Sequence, residues 1–150
     1  MARERTAIAL GLACAAAALS GPGCRKAGDG ASAAGKPLAE KPFYRIDAGP
    51  PVACAPGATC EARLVLTALG SYHVNQDYPF KFVGEPAPAV AVDGDGAFAI
   101  DDARHGTMTV RFRPAAAGTA ALVGTFKLSV CSDDTCEIET PRIELAVPVG

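Results

Sequence analysis

Thr125-Phe-Lys-Leu-Ser-Val-Cys-Ser-Asp-Asp-Thr-Cys136 is the stretch that decides the fold class. Phe126, Leu128 and Val130 alternate with Lys127 and Ser129, the two-residue period of a strand with one buried face. Ser132-Asp-Asp-Thr135 is turn chemistry, because short polar side chains bond their own backbone. Beyond it, Arg142 to Val149 alternates again, with Ile143, Leu145, Val147 and Val149 on one face. Cys131 and Cys136 therefore stand at the mouth of an expected hairpin. Facing Cα atoms there lie roughly 4.5–5.5 Å apart, inside the range that a disulfide spans. A fixed staple and a working redox couple both fit this spacing.

Working outward, the same period recurs. Thr107-Met-Thr-Val-Arg-Phe-Arg113 puts Met108, Val110 and Phe112 on one side, and Arg63 to Leu69 does so with Leu64 and Leu66. Shorter extended pieces are expected at Phe43–Ile46, Tyr72–Asn75 and Phe80–Val83, with an edge segment over Ala89–Val92. Asp93-Gly-Asp-Gly96 reads as a turn. No window after residue 43 keeps a helical period. About seven to nine short strands with turn signals every 8–12 residues predict an all-β, immunoglobulin-like β-sandwich. The Cys…Trp…Cys pattern of antibody domains is missing, since the chain has no Trp.

The first residues read differently. Arg3 and Arg5 precede an apolar run from Thr6 to Leu19, then small residues and Cys24. The run is too short to span a bilayer comfortably and has the form of an export signal over residues 1–24. A cysteine after such a run resembles a bacterial lipoprotein signal, with Cys24 as the lipidated residue; Cys14 and ordinary cleavage without lipid are the alternatives. Residues 25–42, rich in Ala, Gly, Ser, Lys and Pro, read as a tether. Residues 43–150 would form the folded domain. The expected place is the cell envelope, on the periplasmic face of a bacterial membrane through a lipid anchor, or soluble in the periplasm.

With 150 residues, one folded domain is the expectation. A formal net charge of −2 leaves no electrostatic footprint for nucleic acid, so none is expected as a partner. Export changes the cysteine arithmetic. Two of the six cysteines fall in the signal region, leaving Cys54, Cys60, Cys131 and Cys136. An even count in an oxidising compartment implies disulfides. Three pairings are possible, and the short turn-rich loops favour Cys54–Cys60 and Cys131–Cys136.

Several pieces together resemble a known family. These are Gly70-Ser-Tyr-His-Val-Asn75, Asp77-Tyr-Pro79, and Phe126 to Cys136 followed by the strand Ile143 to Val149. They are similar to the N-terminal periplasmic domain of the thiol:disulfide interchange protein DsbD and its stand-alone lipoprotein relatives, over roughly residues 60 to 149. The resemblance implies an immunoglobulin-like fold whose hairpin cysteines exchange electrons with periplasmic partners under an aromatic cap loop. Carried over residue by residue, Cys131 and Cys136 would be the redox pair, and Asp77 and Tyr78 the cap loop. A thioredoxin-like protein would be the expected partner. The family's membrane-embedded and thioredoxin-like domains are not expected in this chain, so electrons would come from another protein.

Local charge argues in the other direction. Exchange needs a thiolate, and Asp133 and Asp134 between the cysteines disfavour one. The tip loop itself contains no Lys, Arg or His. Such a pair suits attack by a partner's thiolate better than independent catalysis. A hairpin staple remains the plain alternative, and closing so short a loop contributes roughly 2 kcal/mol. Cys54–Cys60 reads as a structural disulfide. Asp93, Asp95, Asp101 and Asp102 lack the closing Glu of a calcium loop, and His73 and His105 lack zinc spacing. No metal and no cofactor is expected. Tyr72, Tyr78 and Phe80 read as core or cap packing rather than as an exposed patch.

Overall fold

Alternation in the sequence becomes burial in the fold. The computed structural model describes residues 35–150. The export segment 1–24 with Cys14 and Cys24, and the first part of the expected tether, lie outside the described residues. Ten strands follow in order: β1 (Ala39–Lys41), β2 (Tyr44–Ala48), β3 (Cys60–Ala68), β4 (His73–Val74), β5 (Lys81–Gly84), β6 (Val90–Ile100), β7 (His105–Pro114), β8 (Gly118–Cys131), β9 (Cys136–Glu139) and β10 (Arg142–Val149). No described residue is helical, so among the described residues no helix is long and apolar enough to cross a membrane.

One sheet runs β1-β2-β3-β7-β6. The other is organised by β8, which is longer than any of its partners. β10 pairs with Gly118–Thr125 and β9 with Leu128–Cys131, so the two follow one another along one edge. β5 and β4 do the same along the other edge. The chain crosses between sheets at β3–β4, β5–β6 and β7–β8, and all pairings are antiparallel. One core cluster draws on both layers: Tyr44, Ile46, Leu64, Leu66, Met108 and Phe112 from the first, Phe82, Leu122, Phe126, Leu128 and Ile143 from the second. The fold is an all-β, immunoglobulin-like β-sandwich. Burying each large side chain contributes roughly 1.5–3 kcal/mol, so this interleaved face is the main source of cohesion.

Close approach at the centre of β8 depends on a missing side chain. A Cβ on Gly124 would lie 2.5 Å from the Phe82 ring and 2.6 Å from the Val83 carbonyl oxygen. Glycine there leaves room for the Phe82 ring and the Val83 carbonyl against β8.

Three local expectations change. Asp93-Gly-Asp-Gly96 is a bulge inside β6 and not a chain-reversing turn. Asp93 pairs with Arg111 and Ala97 with Thr109, so two extra residues loop out of the edge strand. Gly94 and Gly96, at φ of 72° and 75°, absorb the excess without reversing the chain. At the N-terminal side, Ala39–Lys41 belongs to the sheet although composition places it in the tether. Leu38 and Ala39 pack on the core, and β1 folds back on β2 through Pro42 and Phe43. Finally, the strand returning from the tip is β9, with β10 starting only after a break at Thr140 and Pro141.

Candidate functional site

The tip of β8 is built by three strand ends. Cys131 is the last residue of β8, and Cys136, the first of β9, faces it directly, Cα to Cα 4.0 Å. The two form a disulfide, as do Cys54 and Cys60. The intervening loop is a tight turn. Ser132 N–H donates to the Thr135 carbonyl at 2.7 Å, and Ser132 Oγ accepts from Asp134 N–H and Thr135 N–H. Asp133, Asp134 and Thr135 are exposed. The cysteines differ in access: Cys131 is 6% exposed, whereas Cys136 is open to solvent.

On the other edge of β8, His73 of β4 faces Cys131. Antiparallel partners share a face of the sheet. His73, Cys131 and Cys136 therefore form one row across three strands. One step back, Asn75 N–H donates to the Ser129 carbonyl at 3.1 Å, and Ile138 pairs with Ser129. Ser129 is the one buried polar side chain among the described residues, at 0% exposure. Its hydroxyl accepts from Asn75 Nδ2 at 3.2 Å. Ile138, on the same face, is 65% exposed. The site is thus a disulfide beside an exposed isoleucine, with a histidine on its far side.

Two contacts hold this end in place. Lys41 Nζ donates to the Glu139 carboxylate at 2.7 Å, joining β1 to the end of β9. Tyr44 is buried beneath, its phenol pushed up to about 12 by burial and then by the Glu139 charge. On the far side of β4, Val74 N–H donates to the Ala103 carbonyl at 2.8 Å. The turn there is set by the Asp102 carboxylate, which accepts from Arg104 N–H, His105 N–H and His105 Nδ1. Those bonds, the Arg104 N–H first, hold the Asp102 carboxyl below its ordinary value.

The residues assigned by resemblance to the cap loop lie just after β4. Asp77 N–H donates to Asn75 Oδ1 at 3.1 Å, closing a side-chain turn. Tyr78 is half-buried, its ring edge-on to Phe80 with centroids 5.2 Å apart. Phe80 stacks on Phe98 at 3.9 Å and touches Phe126. Tyr78 therefore joins the rim of the core stack. Tyr72 packs instead on Phe43, so the three aromatics of this segment divide between two clusters.

Cys54–Cys60 lies at the other end of β8. Both cysteines are buried, at 6% and 4% exposure, beneath an exposed loop from Ala55 to Thr59. Gly150 N–H donates to the Cys54 carbonyl, and Gly57 N–H to the Pro114 carbonyl. Among the described residues no group of His, Cys, Asp or Glu is arranged to hold a metal ion.

Sequence reading singled out Cys131, Cys136, Asp77 and Tyr78. It missed the adjacency of His73, the anchoring by Lys41 and the short strand that exposes Ile138. Only the Gly70–Asn75 motif hinted at the first, because no local spacing links residue 73 to residue 131. No family model matches the chain, and no curated protein matches it. Among solved structures it is similar to the ASH / PapD-like domain of human CEP192 (PapD-like domain 7). That similarity has 15% identity and a TM-score of 0.33, and covers 81% of this chain and 96% of that one.

Proposed function

We propose that this protein is a thiol:disulfide exchange or redox-partner module working outside the cytoplasm, as the DsbD N-terminal domain does. One observation carries the reading: a disulfide at an open strand tip, with Cys136 exposed and Cys131 buried. A thioredoxin-like partner's thiolate attacks Cys136 Sγ. A mixed disulfide forms and Cys131 Sγ leaves with the electron pair. The partner's second thiolate then attacks its own bridged sulfur and releases Cys136. The partner ends as a disulfide and this protein as a dithiol, two electrons richer. Asp133 and Asp134 slow unassisted attack by the protein's own thiolates, which suits a relay better than a free-standing catalyst. Asp77 and Tyr78 would be the cap loop in that reading, although here Asp77 closes a turn on Asn75 and Tyr78 packs on Phe80. Lipidation at Cys24 would tether the module to the periplasmic face of a membrane.

A rival reading keeps both bridges structural, in an envelope lipoprotein that binds another protein. An apolar cleft of about 210 Å³ beside Pro50, Pro51, Val52 and Val147 favours it. The two readings differ in reduction potential. Structural bridges sit below about −300 mV and resist glutathione, whereas working ones lie higher. Equilibrating the folded protein with glutathione and trapping free thiols by alkylation should label Cys131 and Cys136 while the fold persists. If both stay unlabelled until the sandwich melts, the exchange reading fails.

A further inference from the structure

The exchange reading leaves one chemical gap. Cleavage of the bridge at Cys136 releases a thiolate at Cys131, a buried position next to a loop carrying two carboxylates. Nothing within that loop stabilises the charge, and an unfavourable leaving sulfur slows exchange. β4 fills the gap from elsewhere in the chain. His73 faces Cys131 across the strand pair and is exposed on its outer side. Facing side chains of antiparallel strands have Cβ atoms about 4.5–5.5 Å apart, within reach of an imidazole and a sulfur on the same face.

Building on that reading, we infer that His73 is the charge partner of the Cys131 sulfur: as the bridge opens, the imidazolium stabilises the departing thiolate. The electron pair of the broken S–S bond stays on Cys131 Sγ, and the imidazolium N–H is positioned to donate to it. The charged groups around His73 leave this role open. Asp102 is occupied by His105 and by backbone N–H groups. Arg104 donates to the carbonyls of Ala68 and Gly70. Asp77 follows the turn after Asn75. Asp133 and Asp134 lie exposed in the tip loop. On β9, Glu137 pairs with inward-facing Val130, so it stands on the opposite face. On β8, Lys127 shares the outer face four residues back and pairs with Lys81. Among the described residues His73 is the one basic side chain directly across from a reacting sulfur.

The strand pair also explains why the residue is placed reliably. Val74, next to His73, is 1% exposed and pairs with Val130. Asn75, on its other side, is tied to buried Ser129. A two-residue strand pinned on both edges offers its outward position as a fixed mount.

The test follows reduction of Cys131–Cys136 in the full chain by dithiothreitol, quenched by alkylation. Rates are corrected for the reagent's thiolate fraction from about pH 5 to about pH 8. Three proteins are compared: wild type, His73→Phe and His73→Lys. In wild type the corrected rate should be highest in acid and fall in one step as the imidazole loses its proton. His73→Phe should be about tenfold slower in acid and flat with pH. His73→Lys, which keeps a charge but does not titrate in this range, should recover the rate and stay flat. Melting temperature should be unchanged, which separates the charge from a merely structural role. A wild-type profile surviving in His73→Phe overturns the inference and leaves the exchange reading standing. A bridge that no dithiothreitol concentration opens below the melting point overturns both.

Discussion

The two disulfides look alike in the sequence and differ in the fold. Their separations are six and five residues, and each closes a loop of turn-forming residues. At the Gly118 end of β8, both cysteines are buried and the loop is clamped by backbone bonds to Pro114 and Gly150. At the Cys131 end, roughly 40 Å along the strand at about 3.3 Å per residue, one cysteine is open and a histidine stands beside the other. Loop length sets how strongly a bridge constrains the unfolded chain. Position in the sheet sets whether a thiolate can reach it.

The largest expected effect tests access. Under native conditions a small dithiol should open Cys131–Cys136 at least about 100-fold faster than Cys54–Cys60, because attack requires an exposed sulfur. Mass analysis after timed alkylation gives both rates. Equal rates would erase the distinction between the two ends. Next is stability. Cys54→Ala with Cys60→Ala should cost about 2 kcal/mol for the lost loop constraint, with further loss from the vacated packing. Cys131→Ala with Cys136→Ala should cost about 2 kcal/mol or less, since Cys136 buries little. Urea midpoints of the two double variants measure the difference, and a larger loss at the tip would reverse the comparison.

Asn75→Ala should act at one end only. It leaves the buried Ser129 hydroxyl without its partner, a loss of about 1–2 kcal/mol, and loosens the mount of His73. Hydrogen exchange should rise over β4 and the end of β8 while the Cys54 loop keeps its protection. The smallest effect is in acid. Arg142 holds Glu85 below its ordinary carboxyl value, and backbone N–H groups with His105 do the same for Asp102. A depressed folded value gives stability that is present above the unfolded value and lost as pH falls through the folded one. Denaturation midpoints should therefore be flat near neutrality and decline below about pH 4, by a small amount because both groups are solvent-screened. Glu85→Gln should flatten that decline, and a decline unchanged in that variant would remove Glu85 from the account.

Much of the sandwich was legible because its evidence is local. Met108, Val110 and Phe112, or Phe126, Leu128 and Val130, announce their inward face through a two-residue period that any strand must obey. The β6 bulge was not legible. Asp-Gly-Asp-Gly fits a turn and a bulge equally, and pairing with Arg111 and Thr109 decided between them. β1 was hidden for a similar reason, since three residues in a Pro- and Lys-rich stretch carry no period until Leu38 finds the core.

By itself the sequence determined the all-β class, the inward faces and the nearest-neighbour cysteine pairings, because alternation and short loops act over a few residues. Only the tertiary structure decided which sulfur meets solvent, which side chain stands next to it, and that Lys41 anchors the strand beyond the bridge. Those facts arise where segments distant along the chain pair side by side, and strand register, not local spacing, carries that information.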